Sequence, residues 1–325
     1  MILRPTIAVL LASLANPAVA ADDPRDQFDF WLGGWDVTNR HFRGGSWVQS
    51  GTSRAVITPV LGGDAVLEQW DGRTGAMSGV FGFSLRWYDA ELERWVVILN
   101  WPGGSVESPR FGRMEGAFED GVCHLFPPNT FVGPGVERAR DATRYTFSHA
   151  TAESCRWTQS TPGGRGAWNE SWIMDFARTE PAMPDGTPLE INEPPEACAC
   201  DSEGARALDN LVGAWADDGV TVRVSSAIRG CLLFIAVDGG DADRFIALSY
   251  ASADDTWSAF SLDSDLADAS WSGRADASGI VLRSTARSDA SRRGETLRIS
   301  AEDGGFRLAI ESADGVVLDA DLARQ

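Results

Sequence analysis

The sequence predicts an all-β protein made of two tandem antiparallel up-and-down β-barrels, the second smaller than the first. Three observations carry this. The stretch Phe28-Asp-Phe-Trp-Leu-Gly-Gly-Trp-Asp-Val37 returns in weaker form as Leu208-Asp-Asn-Leu-Val-Gly-Ala-Trp-Ala-Asp217, both with Gly-x-Trp. Each half ends on an arginine, in Asp175-Phe-Ala-Arg178 and Asp321-Leu-Ala-Arg324. Between these marks the chain falls into short alternating or apolar runs parted by Gly, Pro, Asp and Asn, with no long amphipathic helix.

In chain order, Arg4, an apolar run from Ile7 to Leu14 and Ala18-Val-Ala20 have the three parts of a secretory signal peptide, so residues 1–20 are expected to be removed. The run is too short to span a bilayer, which takes about 20 apolar residues, and no later stretch approaches that length. A soluble, exported protein is expected, periplasmic or secreted. The first barrel is assigned to residues 26–178. Its strands are read at about Gly34–Phe42, Gly51–Val60, Ala65–Trp70, Val80–Tyr88, Trp95–Trp101, Gly112–Phe118, Val122–Phe126, Ala142–Ala150, Cys155–Ser160 and Trp168–Phe176. Ten strands suffice to close a barrel with a ligand-sized interior. Pro127 to Asp141 has no period and reads as a long loop, either a lid or a surface excursion. Residues 179–205 form a Pro-rich acidic linker, a semi-rigid spacer.

The second barrel, residues 206–325, has runs at Val220–Ser226, Cys231–Val237, Phe245–Tyr250, Trp257–Leu262, Ser270–Ala275, Ile280–Thr285, Thr296–Ser300, Phe306–Ile310 and Val316–Asp321. The repeat extends past its start. Gly62-Gly-Asp-Ala-Val-Leu-Glu matches Arg229-Gly-Cys-Leu-Leu-Phe, and Trp87-Tyr-Asp-Ala-Glu-Leu-Glu-Arg-Trp95 has the layout of Ser249-Tyr-Ala-Ser-Ala-Asp-Asp-Thr-Trp257. Duplication followed by divergence explains both.

A tryptophan just past a glycine turn can lie across one end of a barrel and close it. The Gly-x-Trp start and the terminal arginine together resemble the lipocalin-like (calycin) barrel, and the longer first copy resembles the DUF1579-type branch of uncharacterised bacterial proteins. The resemblance implies barrel closure by Trp35 with Arg178 and by Trp215 with Arg324, the guanidinium stacked on the indole, a contact of about 0.5–2 kcal/mol. Neither resemblance names a ligand.

Composition excludes several functions. Arginine supplies all 28 basic residues against 47 acidic ones, for a formal charge of -19. Nucleic acid and anionic membranes are therefore not expected partners. Without lysine there is no Schiff-base chemistry and no Walker-type phosphate site. A Gly-x-Ser-x-Gly elbow is absent too. The only histidines are His41, His124 and His149, and His149 shares an alternating face with Tyr145 and Phe147, as a core or rim residue does. Haem, bound by some barrels of this kind, would need a histidine-type axial ligand, and the second half has none. No metal site and no cofactor are expected. The acidic turns lack EF-hand spacing, and Cys198-Ala-Cys200 lacks partners at zinc spacing. The five cysteines read as disulfide candidates in an exported chain. Cys231 would pair with Cys198 or Cys200. Cys123 would pair with Cys155 unless a strand runs between them.

Ten of the 13 tryptophans lie in the first half, which makes the first barrel the better place for a ligand, although tryptophans also simply fill cores. Alternation from Trp168 to Phe176 puts Glu170 on an apolar inward face with Trp172, and Val66-Leu-Glu-Gln-Trp70 does the same for Glu68 and Trp70. A buried carboxylate must be paired, hydrogen-bonded, solvated or protonated. Arg144 and Arg86 are candidate partners, with Asn100 a neutral hydrogen-bonding group. Trp87 and Trp101 complete the candidate ligand-binding set of Glu68, Trp70, Trp87, Asn100, Trp101, Arg144, Glu170 and Trp172. Three functions fit: a carrier of a small apolar or amphipathic molecule, an isomerase, cyclase or hydrolase using Glu170 or Glu68 as acid and base, and an envelope interaction module without a cavity ligand.

Overall fold

The computed structural model describes residues 23–100, 111–128, 143–181, 200, 202–227, 230–240, 242–252, 254–276, 279–285, 292, 294–302, 305–312 and 315–324. The signal-peptide assignment, Trp101, Cys198, most of the loop from Pro127 and most of the linker lie outside them. Two closed ten-stranded antiparallel barrels follow one another. The first runs through β1 (Gly33–Arg43), β2 (Ser46–Val60), β3 (Ala65–Gly72), β4 (Phe81–Asp89), β5 (Arg94–Asn100), β6 (Gly112–Glu119), β7 (Val122–Phe126), β8 (Arg144–Ser148), β9 (Ser154–Pro162) and β10 (Trp168–Pro181), with β1 pairing both β2 and β10. The second runs through β11 (Gly213–Asp217), β12 (Val220–Ala227), β13 (Leu232–Gly239), β14 (Arg244–Ala251), β15 (Thr256–Asp263), β16 (Asp268–Asp276), β17 (Gly279–Ser284), β18 (Thr296–Glu302), β19 (Gly305–Ser312) and β20 (Gly315–Arg324), closed by β11 with β20. The expectation of a smaller second barrel does not hold in strand number. Its tenth strand is the short β11 around Trp215, a segment with too few residues to alternate visibly.

A 3-10 helix precedes each first strand, Pro24–Trp31 in one barrel and Asp209–Leu211 in the other. Pro24 sits in the first turn, and the Asp23 side chain accepts the Arg25 amide at 2.9 Å, so the first helix has a defined start. Turning from helix into strand needs φ of 122° at Gly33 and 150° at Gly213, where a side chain would be strained. This is the physical content of the glycine in Gly-x-Trp.

The barrels pack against each other through corresponding strands, β3 to β5 against β13 to β15. On β4, Phe81, Phe83, Leu85 and Trp87 face outward and are nevertheless buried, in one cluster with Phe234, Phe245, Phe260 and Leu262. Ring centroids lie 5.3 Å apart for Phe83 with Phe234 and 5.9 Å for Trp87 with Phe260. At the edge of this contact Arg113 bonds Asp268 at 3.0 Å. Phe81 to Trp87 therefore alternates strictly, with Gly82, Ser84 and Arg86 turned into the barrel, and is buried at every position because the other barrel covers its outer face.

The Cys200–Cys231 disulfide ties the segment before the second barrel to the start of β13. Cys123 and Cys155 are buried and free. They sit on β7 and β9 with β8 between them. Backbones two strands apart are separated by roughly 9–10 Å, too far for a bridge that needs Cα atoms within about 7 Å. No helix among the described residues is long and apolar enough to cross a membrane.

Candidate functional site

Both barrels are plugged at the helix end in the same way. The Trp35 indole donates to the Trp31 carbonyl at 2.7 Å, and that of Trp215 to the Leu211 carbonyl at 2.7 Å. Strand register sets Trp35 opposite Arg178 and Trp215 opposite Arg324. The guanidinium carbons lie 4.1 Å and 5.4 Å from the respective indole centroids. Arg178 also donates to the carbonyls of Phe30, Leu32 and Ala152, and Arg324 to that of Val212 at 3.3 Å. Carbonyls at a helix end have no partner of their own, so each arginine satisfies them while covering the indole.

Above the first plug, alternation along β3 and β4 sends Glu68, Ser84 and Arg86 inward. The Ser84 hydroxyl donates to Glu68 Oε2 at 2.7 Å, and Arg86 Nη2 donates to Ser84 Oγ at 2.6 Å while lying 3.3 Å from Glu68 Oε2. All three are buried, Arg86 at 1% exposure. The Arg86 guanidinium carbon lies 3.8 Å from the Trp31 ring centroid, 4.7 Å from that of Phe28 and 5.0 Å from that of Phe147. Ring faces therefore do part of the work that water does outside. Nε and Nη1 of Arg86 have no hydrogen-bond partner among the described residues. Burial pulls Arg86 down to about 10 against the opposing pull of Glu68, which still leaves it cationic at neutral pH. Burial pushes Glu68 above the ordinary carboxylate value, only partly offset by Arg86 and Ser84.

This triad borders a cavity of about 50 Å³ whose other walls are almost wholly apolar, with Trp31 and Phe147 near the plug and Leu99, Trp157, Trp172 and Met174 further along. That is space for a few waters, a small molecule or one end of a longer one. Trp172 is held by a second polar chain, its indole donating to Asn39 Oδ1 at 3.0 Å while Asn39 Nδ2 donates to Ser53 Oγ at 2.6 Å. The His41 ring stacks on Trp172 with centroids 5.0 Å apart, and burial lowers its pKa.

Of the residues picked out in the sequence, Glu68 and Trp172 line this cavity, and Trp70 is buried beside it, 6.3 Å from Trp172 between ring centroids. The others are elsewhere. Glu170 is exposed, because β10 carries a bulge: Glu170 pairs with Ser160 and Trp172 with Gln159, so Ser171 is an extra residue and the alternation changes face there. Arg144 alternates with Tyr145 and Phe147, which face the cavity, and so turns outward over Trp168, 4.4 Å from its ring. Trp87 lies in the contact between the barrels. Asn100 alternates with the inward Val97 and Leu99 and shares the outward face of Val96 and Ile98. His149 is exposed just past β8, at a positive φ of 54°. Ser84, Trp31 and Asn39 were missed as site residues. Signals for them existed: Ser84 and Arg86 are the polar alternates in an apolar run, and Trp31 precedes the Gly-x-Trp turn.

Among the described residues no group of three or more His, Cys, Asp and Glu side chains gathers as metal ligands would. No protein-family model matches the chain, and no curated protein matches it. Among solved structures, it is similar to a protein of unknown function from the DUF3598 family of Nostoc punctiforme, at 12% identity and a TM-score of 0.29, over 92% of this chain and 97% of that one.

Proposed function

We propose that the protein is an exported, lipocalin-like carrier whose first barrel holds a small apolar or amphipathic molecule, with the polar end of the ligand against Glu68 and Arg86. The observation that carries this reading is an apolar cavity with a single charged pole at its closed end. Burying an ion pair costs several kcal/mol per ion before its attraction is counted, so a pure packing core gains little from one. A disulfide is consistent with export to an oxidising compartment. The second reading is an enzyme in which Glu68, held above the usual carboxylate range beside a cation, donates and recovers a proton; such a group suits general acid catalysis.

The test is native mass spectrometry of the full chain purified from its own envelope, followed by a tryptophan-quenching titration of delipidated protein with a small naphthalene probe. A co-purifying small molecule and saturable quenching, both weakened in Trp172→Ala, are expected. A ligand-free mass together with unsaturable quenching overturns the reading. Conversion of the co-purified molecule on prolonged incubation, lost in Glu68→Gln, would move the assignment to the enzyme.

A further inference from the structure

The second barrel has a charged centre of its own, placed at the opposite end from its tryptophan plug. Arg244 opens β14 and Asp263 closes β15, and the two are register partners. Alternation with Ile246 and Leu248 on one strand, and with Trp257 and Ala259 on the other, turns both inward at the barrel mouth. Asp263 is fully engaged. Its Oδ1 accepts the amides of Asp265 at 3.1 Å and Ala267 at 3.0 Å, and its Oδ2 accepts from Arg292, which also reaches Glu295 at 3.3 Å. Arg244 Nη2 stands 3.6 Å from Asp263 Oδ2, an ion pair longer than a hydrogen bond. Although Arg244 is only 5% exposed, its guanidinium makes no hydrogen bond among the described residues.

Arg244 and Arg292 both border a cavity of about 270 Å³, with Gly239, Gly240, Val220, Val317 and Leu318 as its uncharged walls and Asp265 and Asp319 beside them. A buried guanidinium with unused donors facing a cavity is an anion site in chemical terms, since its planar fork matches a carboxylate. The neighbouring carboxylates limit the charge the site accepts. Asp263 and Glu295 already balance the two arginines, and the acidic Asp265 and Asp319 would repel a dianion. The apolar walls favour a hydrocarbon body over bare solvent.

We propose that the mouth of the second barrel binds a small organic monocarboxylate, with its carboxylate on Arg244 and its apolar body against Val220, Val317 and Leu318. The site is independent of the first-barrel cavity. A methyl-NMR titration of the full chain with hexanoate should move the signals of Ala242, Val317 and Leu318 saturably, and inorganic phosphate should do so at least about tenfold more weakly. Arg244→Gln should weaken hexanoate at the mouth by about tenfold or more, the worth of one charge-assisted hydrogen bond. Val317→Trp keeps the arginine but fills the cavity, and should abolish the same shifts, which decides the matter if Arg244→Gln fails to fold. Mouth signals indifferent to hexanoate, an unchanged titration in a folded Arg244→Gln or in Val317→Trp, or phosphate binding as tightly as hexanoate would overturn the assignment.

Discussion

Where the first barrel has Glu68, Ser84 and Arg86, the second has Ile235, Ile246 and Leu248. The equivalence follows from register: Glu68 is opposite Ser84 and Val66 opposite Arg86, as Ile235 is opposite Ile246 and Leu233 opposite Leu248. The plugs differ in step with the interiors. Phe28 and Trp31 face Arg86 in one barrel, whereas the helix before the other contributes Leu208 and Leu211 to an uncharged core. An arginine can be buried where aromatic faces receive it, and a leucine plug offers no such face. The Trp, Arg and Gly arrangement is common to both barrels, whereas the charge beside it in the first is replaced by Ile and Leu in the second.

The comparison is tested most severely at the shared closure. Trp35→Ala and Trp215→Ala should each destabilise by about 3–5 kcal/mol in urea unfolding, since each removes a buried plug. A near-zero cost in either barrel would show that its tryptophan merely fills space.

Within the first barrel, partial and complete removal of the charge should differ in cost. Glu68→Leu strands a buried cation and should cost about 3 kcal/mol, whereas the triple replacement Glu68→Ile, Ser84→Ile and Arg86→Leu, which installs the second barrel's residues, should cost about 1 kcal/mol or less. The triple variant should also lose probe binding. If it unfolds while Glu68→Leu is tolerated, the triad is structural and the comparison fails.

The smallest effect is in pH dependence. Because Glu68 binds its proton more tightly folded than unfolded, the stability this contributes is complete below the ordinary carboxylate pKa of 4.5 and is lost as pH rises through the raised value. Unfolding free energies of the wild type measured upward from pH 4.5 should therefore fall relative to those of Glu68→Gln. A difference between the two proteins that is flat over that range would mean that Arg86 and Ser84 fully compensate the burial.

Legibility of the site differed residue by residue. Glu68 and Trp172 could be read from alternation because β3 is regular and the bulge in β10 ends at Trp172. Glu170 could not, because one extra residue reverses every side chain beyond it and leaves no trace in hydropathy. Trp87 and Asn100 misled for a different reason. Apolar character marks burial and not the inside of a barrel, and here the outer faces of β4 and β5 are buried by the other barrel.

By itself, the sequence determined the two tandem antiparallel barrels and marked the Gly-x-Trp turns and late arginines that the fold brings together, since strand period, glycine turns and repeated motifs are local properties written along one chain. Only the tertiary structure decided that Cys200 takes Cys231, that Cys123 and Cys155 stay apart, that the barrels bury each other's corresponding faces, and that one keeps its charge beside the plug and the other at the mouth. Those outcomes depend on which strands lie between two residues and on what packs against a strand's second face, and a side chain's neighbours across a sheet are set by register and closure that no single strand carries.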